Sequence, residues 1–221
     1  MFRRSPSQIK TFKWSKQKRA AEKILWIRDE YSNDNYIVWQ IWEDYLLKWL
    51  TSIEDIIGNQ KVEDMEKVIQ DVEAIKINAK WLDFDVWKTQ VKAEWLLLWH
   101  SCCGYIDNLT DERIDEIKTA KYLSKVDWAV NMWSNMSTYE EYELQVWVYM
   151  KLLDRKKARI IEVAKHLYKD WVPRNQIIEF HMTPEFDEKM ISKFQPVIDE
   201  MSEMMNKFSK VREEFVYNKN K

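Results

Sequence analysis

The stretch VWKTQVKAEWLLLWHSCCG, residues 86–104, decides how the chain is read. Trp87, Val91, Trp95 and then Leu98 and Trp99 recur at three- and four-residue steps, the spacing of one apolar helix face. Neither Gly nor Pro interrupts the run until Gly104, where a helix would stop. The stretch reads as a helix, and its neighbours follow. Residues 36–57 place Trp39, Trp42, Leu46, Trp49 and Ile53 on a similar seam that ends at Gly58-Asn59. Another helix is expected from Val62 to Leu82, with Val62, Met65, Ile69 and Val72 on its faces. Thr110-Asp111-Glu112-Arg113 offers a hydroxyl cap followed by acids, the signature of a helix start. Ser137-Thr138 with Glu140 and Glu141 reads as a second start, opening a helix that continues from Tyr139 to Asp170. Thr183-Pro184-Glu185 supplies cap, proline and acid for a last helix running past Pro196 towards Tyr217.

Composition agrees with that reading. The 221 residues are 46% hydrophobic, enough for a core, yet contain only Gly58 and Gly104 as glycines. A Rossmann turn, a P-loop or a nucleophile elbow needs glycine at fixed spacing, and none can be built. β-Hairpin turns also lean on glycine. The expected fold class is therefore all-α, a helical bundle with an extended basic N-terminal helical arm. Residues 1–32 form the expected arm and 33–221 the helical-bundle body. The longest apolar run, Trp95 to Trp99, is far short of a membrane span. Cys102 and Cys103 are adjacent, too close for an unstrained disulfide, so nothing asks for an oxidising compartment.

Charge is unevenly distributed. Residues 1–23 carry Arg3, Arg4, Lys10, Lys13, Lys16, Lys18, Arg19 and Lys23 against the single acid Glu22, a net +7 that leaves −9 on the rest. A basic arm on an acidic body is the pattern of a tail that neutralises phosphates or meets an anionic surface. Lys151, Arg155, Lys156, Lys157, Arg159, Lys165 and Lys169 form a second basic run, with Arg155 and Arg159 four apart on one helix face. The expected nucleic-acid-binding residues are the eight arm cations together with Arg155, Lys156 and Arg159. The arm offers few groups for reading base edges, so contact is expected with backbone and not sequence.

No catalytic, metal or cofactor site is expected. His100, His166 and His181 are not paired at helical spacing, and adjacent cysteines cannot complete a zinc set. Glu140-Glu141 and Glu213-Glu214 read as surface charge. Thirteen Trp exceed what a small bundle's core holds, and suit subunit contacts or a lipid-facing surface.

The opening Met1-Phe2-Arg3-Arg4-Ser5, the Ser7 to Lys23 run with its Lys13-Trp14 step and the glycine-poor remainder resemble the major capsid proteins of filamentous archaeal viruses, the enveloped lipothrixvirus group in particular. The resemblance implies a non-enzymatic structural nucleoprotein of the virion. Such a subunit wraps double-stranded DNA, pairs with itself or a paralogous capsid subunit, stacks into a helical filament, and faces a lipid envelope. The alternative is a helical, tryptophan-rich interaction protein or surface antigen that binds a protein or membrane surface without nucleic acid.

Overall fold

The computed structural model describes residues 64–79, 87–120, 136–165 and 174–219, together with Pro6, Ile9, Lys10, Val38, Leu82, Leu123, residues 130–131 and Leu167. In chain order the elements are α1 (Met65–Ala79), β1 (Lys88–Leu97), β2 (His100–Leu109), β3 (Arg113–Ala120), β4 (Val130–Asn131), β5 (Met136–Ser137), α2 (Thr138–Leu153), β6 (Lys157–Ala164), β7 (Asn175–His181) and α3 (Pro184–Lys219). The main sheet runs β1-β2-β3-β6-β7, and β4 and β5 form a separate short ladder. Only β3 and β6 are parallel; α2 supplies the crossover that parallel neighbours require. The fold is mixed helix and sheet, and the all-α bundle is corrected.

The correction turns on two residues. From Lys88 onward the 86–104 stretch folds as a hairpin of β1 and β2, and its two-residue turn is Leu98-Trp99, with φ of 50° and 66°. A type I′ turn needs positive φ at both central positions, which usually selects Asn-Gly. Here two bulky residues take the left-handed conformation, so a scarcity of glycine did not exclude a hairpin. Trp99 is 90% exposed, while Ala93, Leu97, Cys102 and Ile106 are buried. The helical start expected at Thr110 is instead the β2–β3 turn, in which the Thr110 hydroxyl accepts from Arg113 N–H at 3.0 Å.

The helix expected from Tyr139 to Asp170 ends at Leu153. Asp154 adopts φ 50° and Arg155 N–H donates back to Met150 C=O at 2.9 Å, the geometry of a Schellman close. Strand β6 follows, so the expected Arg155–Arg159 helix face does not exist. Other expectations hold. α1 lies inside the expected 62–82 segment, and α3 begins where Thr183-Pro184-Glu185 placed it, with Thr183 Oγ1 accepting from Phe186 N–H at 3.1 Å.

The main core lies between the sheet and α2 with α3. Trp147 of α2 and Phe194 of α3 are fully buried with stacked rings, and the Trp147 indole N–H donates to Asp187 at 2.8 Å. Ile114, Ala158 and Ile160 meet this cluster from the sheet. On the side where α1 meets β6, Val68, Val72 and Ile75 are buried. Asn78 ties that helix down by donating to Ala164 C=O at 2.6 Å and accepting from Arg174 N–H at 2.9 Å. Ile9 belongs to the main core, so that point of the expected arm is seated on the body. The Trp39 to Ile53 seam lies outside the described residues.

Candidate active site

Strands β2 and β3 pair only at Asn108↔Asp115 and Leu109↔Ile114. Beyond that point the backbone ladder ends and side chains take it over. Ile117 N–H donates to Asp107 Oδ2 at 2.8 Å, and Asp107 N–H donates to Glu116 Oε1 at 3.4 Å. Two carboxylates thus converge where the strands part, both almost wholly buried. Burying unpaired carboxylates is costly, so their partners matter.

Lys118, two residues along β3, places Nζ 3.2 Å from Glu116 Oε2. Residues i and i+2 of a strand share a face, which is why Glu116 and Lys118 meet. The crossover helix α2 brings Gln145, whose Nε2 donates to the same Glu116 oxygen. One turn on, Tyr149 packs on Gly104 of β2. A Cβ on Gly104 would sit 2.6 Å from the phenol oxygen and 2.9 Å from Cζ, so the close approach requires glycine. Gln90 completes the surround, with Nε2 at 3.5 Å from Asp107 Oδ1 and a left-handed φ of 51°.

The electrostatics follow from burial. Desolvation pushes the Glu116 carboxyl up to about 8, with the neighbouring Asp107 adding to the rise and Lys118 opposing it. Asp107 is raised by burial too, against Lys118, the Ile117 amide and Gln90. Burial and the two carboxylates hold the Tyr149 phenol above its ordinary range. Ionised together, the two carboxylates would outweigh the one ammonium, and a divalent cation would neutralise that surplus. The donors are hard oxygens, which suit Mg²⁺ or Mn²⁺ over softer metals. No group of three or more His, Cys, Asp or Glu capable of holding a metal occurs among the described residues. Two carboxylates with hard oxygens are donors of the kind that Mg²⁺ takes, with waters and phosphate oxygens completing its shell.

A second buried acid has a different setting. Asp115 accepts from Asn108 Nδ2 at 3.0 Å, Arg113 Nε at 3.0 Å and Arg159 Nε at 2.6 Å, with Arg159 Nη2 at 3.2 Å from its other oxygen. This is a closed structural pair.

The structure distributes the residues expected to bind nucleic acid as follows. Arg3, Arg4, Lys13, Lys16, Lys18, Arg19 and Lys23 lie outside the described residues. Lys10 pairs with Glu141 at 2.6 Å and lines a cavity together with Lys118. Arg155 follows the end of α2, with a buried Nε that has no hydrogen-bond partner among the described residues. Lys156 is exposed, 3.5 Å from Asp154, and Arg159 is held by Asp115. The sequence reading missed Asp107, Glu116, Lys118, Gln145 and Tyr149. The available signal was Glu116-Ile117-Lys118 preceded by Asp107, which acquires meaning only when residues 113–120 are a strand.

No family profile and no curated protein sequence matches the chain. Among solved structures, a candidate exonuclease from Eubacterium rectale superposes with a TM-score of 0.61 at 14% identity, over 96% of this chain and 81% of that one. A phage-related exonuclease from Haemophilus somnus gives 0.45 at 14% identity, over 93% and 96%. The LHK-Exo alkaline exonuclease from Laribacter hongkongensis, in complex with dAMP, gives 0.43 at 12% identity, over 97% and 94%. The fold is thus shared with the Eubacterium rectale protein. That overturns the capsid resemblance, the helical-filament and surface-antigen readings, and the expectation of a non-enzyme. The fold gives no support to a paralogous capsid subunit or a lipid envelope as partners.

Proposed function

We propose that this protein is a divalent-cation-dependent nuclease that hydrolyses phosphodiester bonds of DNA from a strand end. The observation that carries the reading is the convergence of Asp107, Glu116 and Lys118 at the point where β2 and β3 part. The fold shared with the Eubacterium rectale protein supports it and suggests the exonucleolytic mode. The basic charge pattern of residues 1–23 supports a nucleic-acid substrate, and we take DNA, in its double-stranded form, as that substrate.

Asp107 and Glu116 would hold the cation, which when bound would act as a Lewis acid on the phosphate and lower the pKa of a water beside it. The chain's own groups do the rest. Gln145 orients the Glu116 carboxylate through its Nε2, and the Ile117 amide orients Asp107. Lys118 places an ammonium beside Glu116, where it stabilises negative charge gathering on the phosphoryl oxygens. Tyr149 stays protonated and keeps its hydroxyl as a donor.

End-labelled linear duplex incubated with the full chain and Mg²⁺ or Mn²⁺ tests the reading. Nucleotide release that EDTA abolishes, and that Asp107→Asn, Glu116→Gln and Lys118→Ala each lower by on the order of 10³-fold, is expected. Absence of cleavage of DNA or RNA with either cation, by folded protein, refutes it.

A further inference from the structure

A cavity of about 350 Å³ opens beside the acid pair, lined by Lys10, Glu141, Leu144, Gln145, Tyr149 and Lys118 among others. Lys118, Gln145 and Tyr149 belong to the candidate active site. Lys10 and Glu141 do not, and no step above uses them. Lys10 is brought there by the chain near the N-terminus, which is held in place because Ile9 is fully buried in the main core and Pro6 is buried. Its Nζ is 2.6 Å from Glu141 Oε2, and the two side chains keep 33% and 16% of their exposure. An ammonium has three N–H donors, so Lys10 can keep Glu141 and still donate to a phosphate.

The volume lies at the low end of small-ligand pockets and suits one nucleotide. Its contents suit one as well: cations at Lys10 and Lys118, with Tyr142, Leu144 and Tyr149 offering apolar surface for a base or sugar. We propose that the cavity seats a terminal nucleotide of the strand, with Lys10 binding the phosphate next to the scissile one. The proposal rests on the nuclease reading and adds to it a binding residue outside the carboxylate cluster.

The full-length Glu116→Gln chain, which binds without cleaving, is the protein to use, with a labelled oligonucleotide and free dTMP as probes. Adding Lys10→Ala should weaken oligonucleotide binding about tenfold. It should also reduce the slope of log affinity against log salt by about 0.7 to 0.9, one phosphate contact. Lys10→Arg should restore the slope, and Glu141→Gln should tighten binding by removing the carboxylate that competes for Lys10. dTMP affinity should fall in step with Lys10→Ala. If Lys10 serves only to pair Glu141, Lys10→Ala and Glu141→Gln will act alike and leave the slope unchanged, which overturns the proposal; so does dTMP binding indifferent to Lys10. The nuclease reading fails separately. A wild-type chain that cleaves nothing yet binds dTMP through Lys10 removes the activity and keeps the site. Cleavage combined with Lys10-independent binding does the reverse.

Discussion

Replacing Glu116 by Gln should change how stability depends on pH, and the structure sets the size of the change. The carboxyl stands at about 8 in the folded protein against 4.5 for an ordinary glutamate. Below pH 4.5 both folded and unfolded chains carry the proton. Between 4.5 and 8 the folded chain keeps a proton that the unfolded chain has released, so stability falls as pH rises. Each unit of that window is worth about 1.4 kcal/mol, which gives about 5 kcal/mol over its whole width as a ceiling. Glutamine carries no such charge and should remove the share of the slope that Glu116 supplies, leaving that of Asp107. Thermal melts of both chains in EDTA at pH 5, 6.5 and 8 measure it. The two should coincide near pH 5, and Glu116→Gln should be the more stable by several kcal/mol at pH 8. Mg²⁺ should then raise the Tm of the wild type at pH 8 and leave the variant nearly unmoved, because the cation repays the burial of charge only where charge exists. Parallel pH profiles for the two chains in EDTA would refute the reasoning.

Gly104→Ala should cost about 1–3 kcal/mol in urea unfolding, since its Cβ would meet the Tyr149 ring, and Tyr149→Ala in the same chain should recover part of the loss. Trp99→Gly should raise stability by about 1 kcal/mol, because Trp99 is left-handed and exposed whereas Leu98 packs against the core; a lowered Tm contradicts the turn assignment. Asp115→Ala should cost about 3–5 kcal/mol by stranding Arg159, a loss visible in chemical denaturation.

Elements whose signals are local were legible in the sequence. The Thr183-Pro184-Glu185 start and α1 needed only caps and periodicity, and the Thr138 start of α2 likewise. The hairpin was not legible because its turn is Leu98-Trp99, a pair with no intrinsic preference for positive φ. In a run as apolar as 95–99, spacing does not separate a helix from a strand. The candidate site was lost with it. Glu116 and Lys118 share a face only on a strand; on the helix expected there they would point about 200° apart. Gln145 and Tyr149 are four apart on a real helix, but their meaning depends on β2 and β3 lying beneath them. Lys10 was picked out by its charge, and its neighbours are set by tertiary packing alone.

The closed Asp115 pair fixes the sheet in a way that reaches the chemistry. Sliding β3 by one residue against β2 and β6 would turn every side chain of β3 to the opposite face. Asp115 would leave Arg159 and Asn108 while keeping Arg113 of its own strand, and Arg159 would lose its carboxylate, a penalty of several kcal/mol. The correct alignment is therefore enforced by an ion pair outside the Asp107–Glu116–Lys118 cluster. Because Glu116 and Lys118 follow it one and three residues on along the strand, Asp115 acts as the gauge pin from which their positions are measured. Selection that preserves the pin would preserve the placing of Glu116 and Lys118, even where the surrounding apolar residues drift.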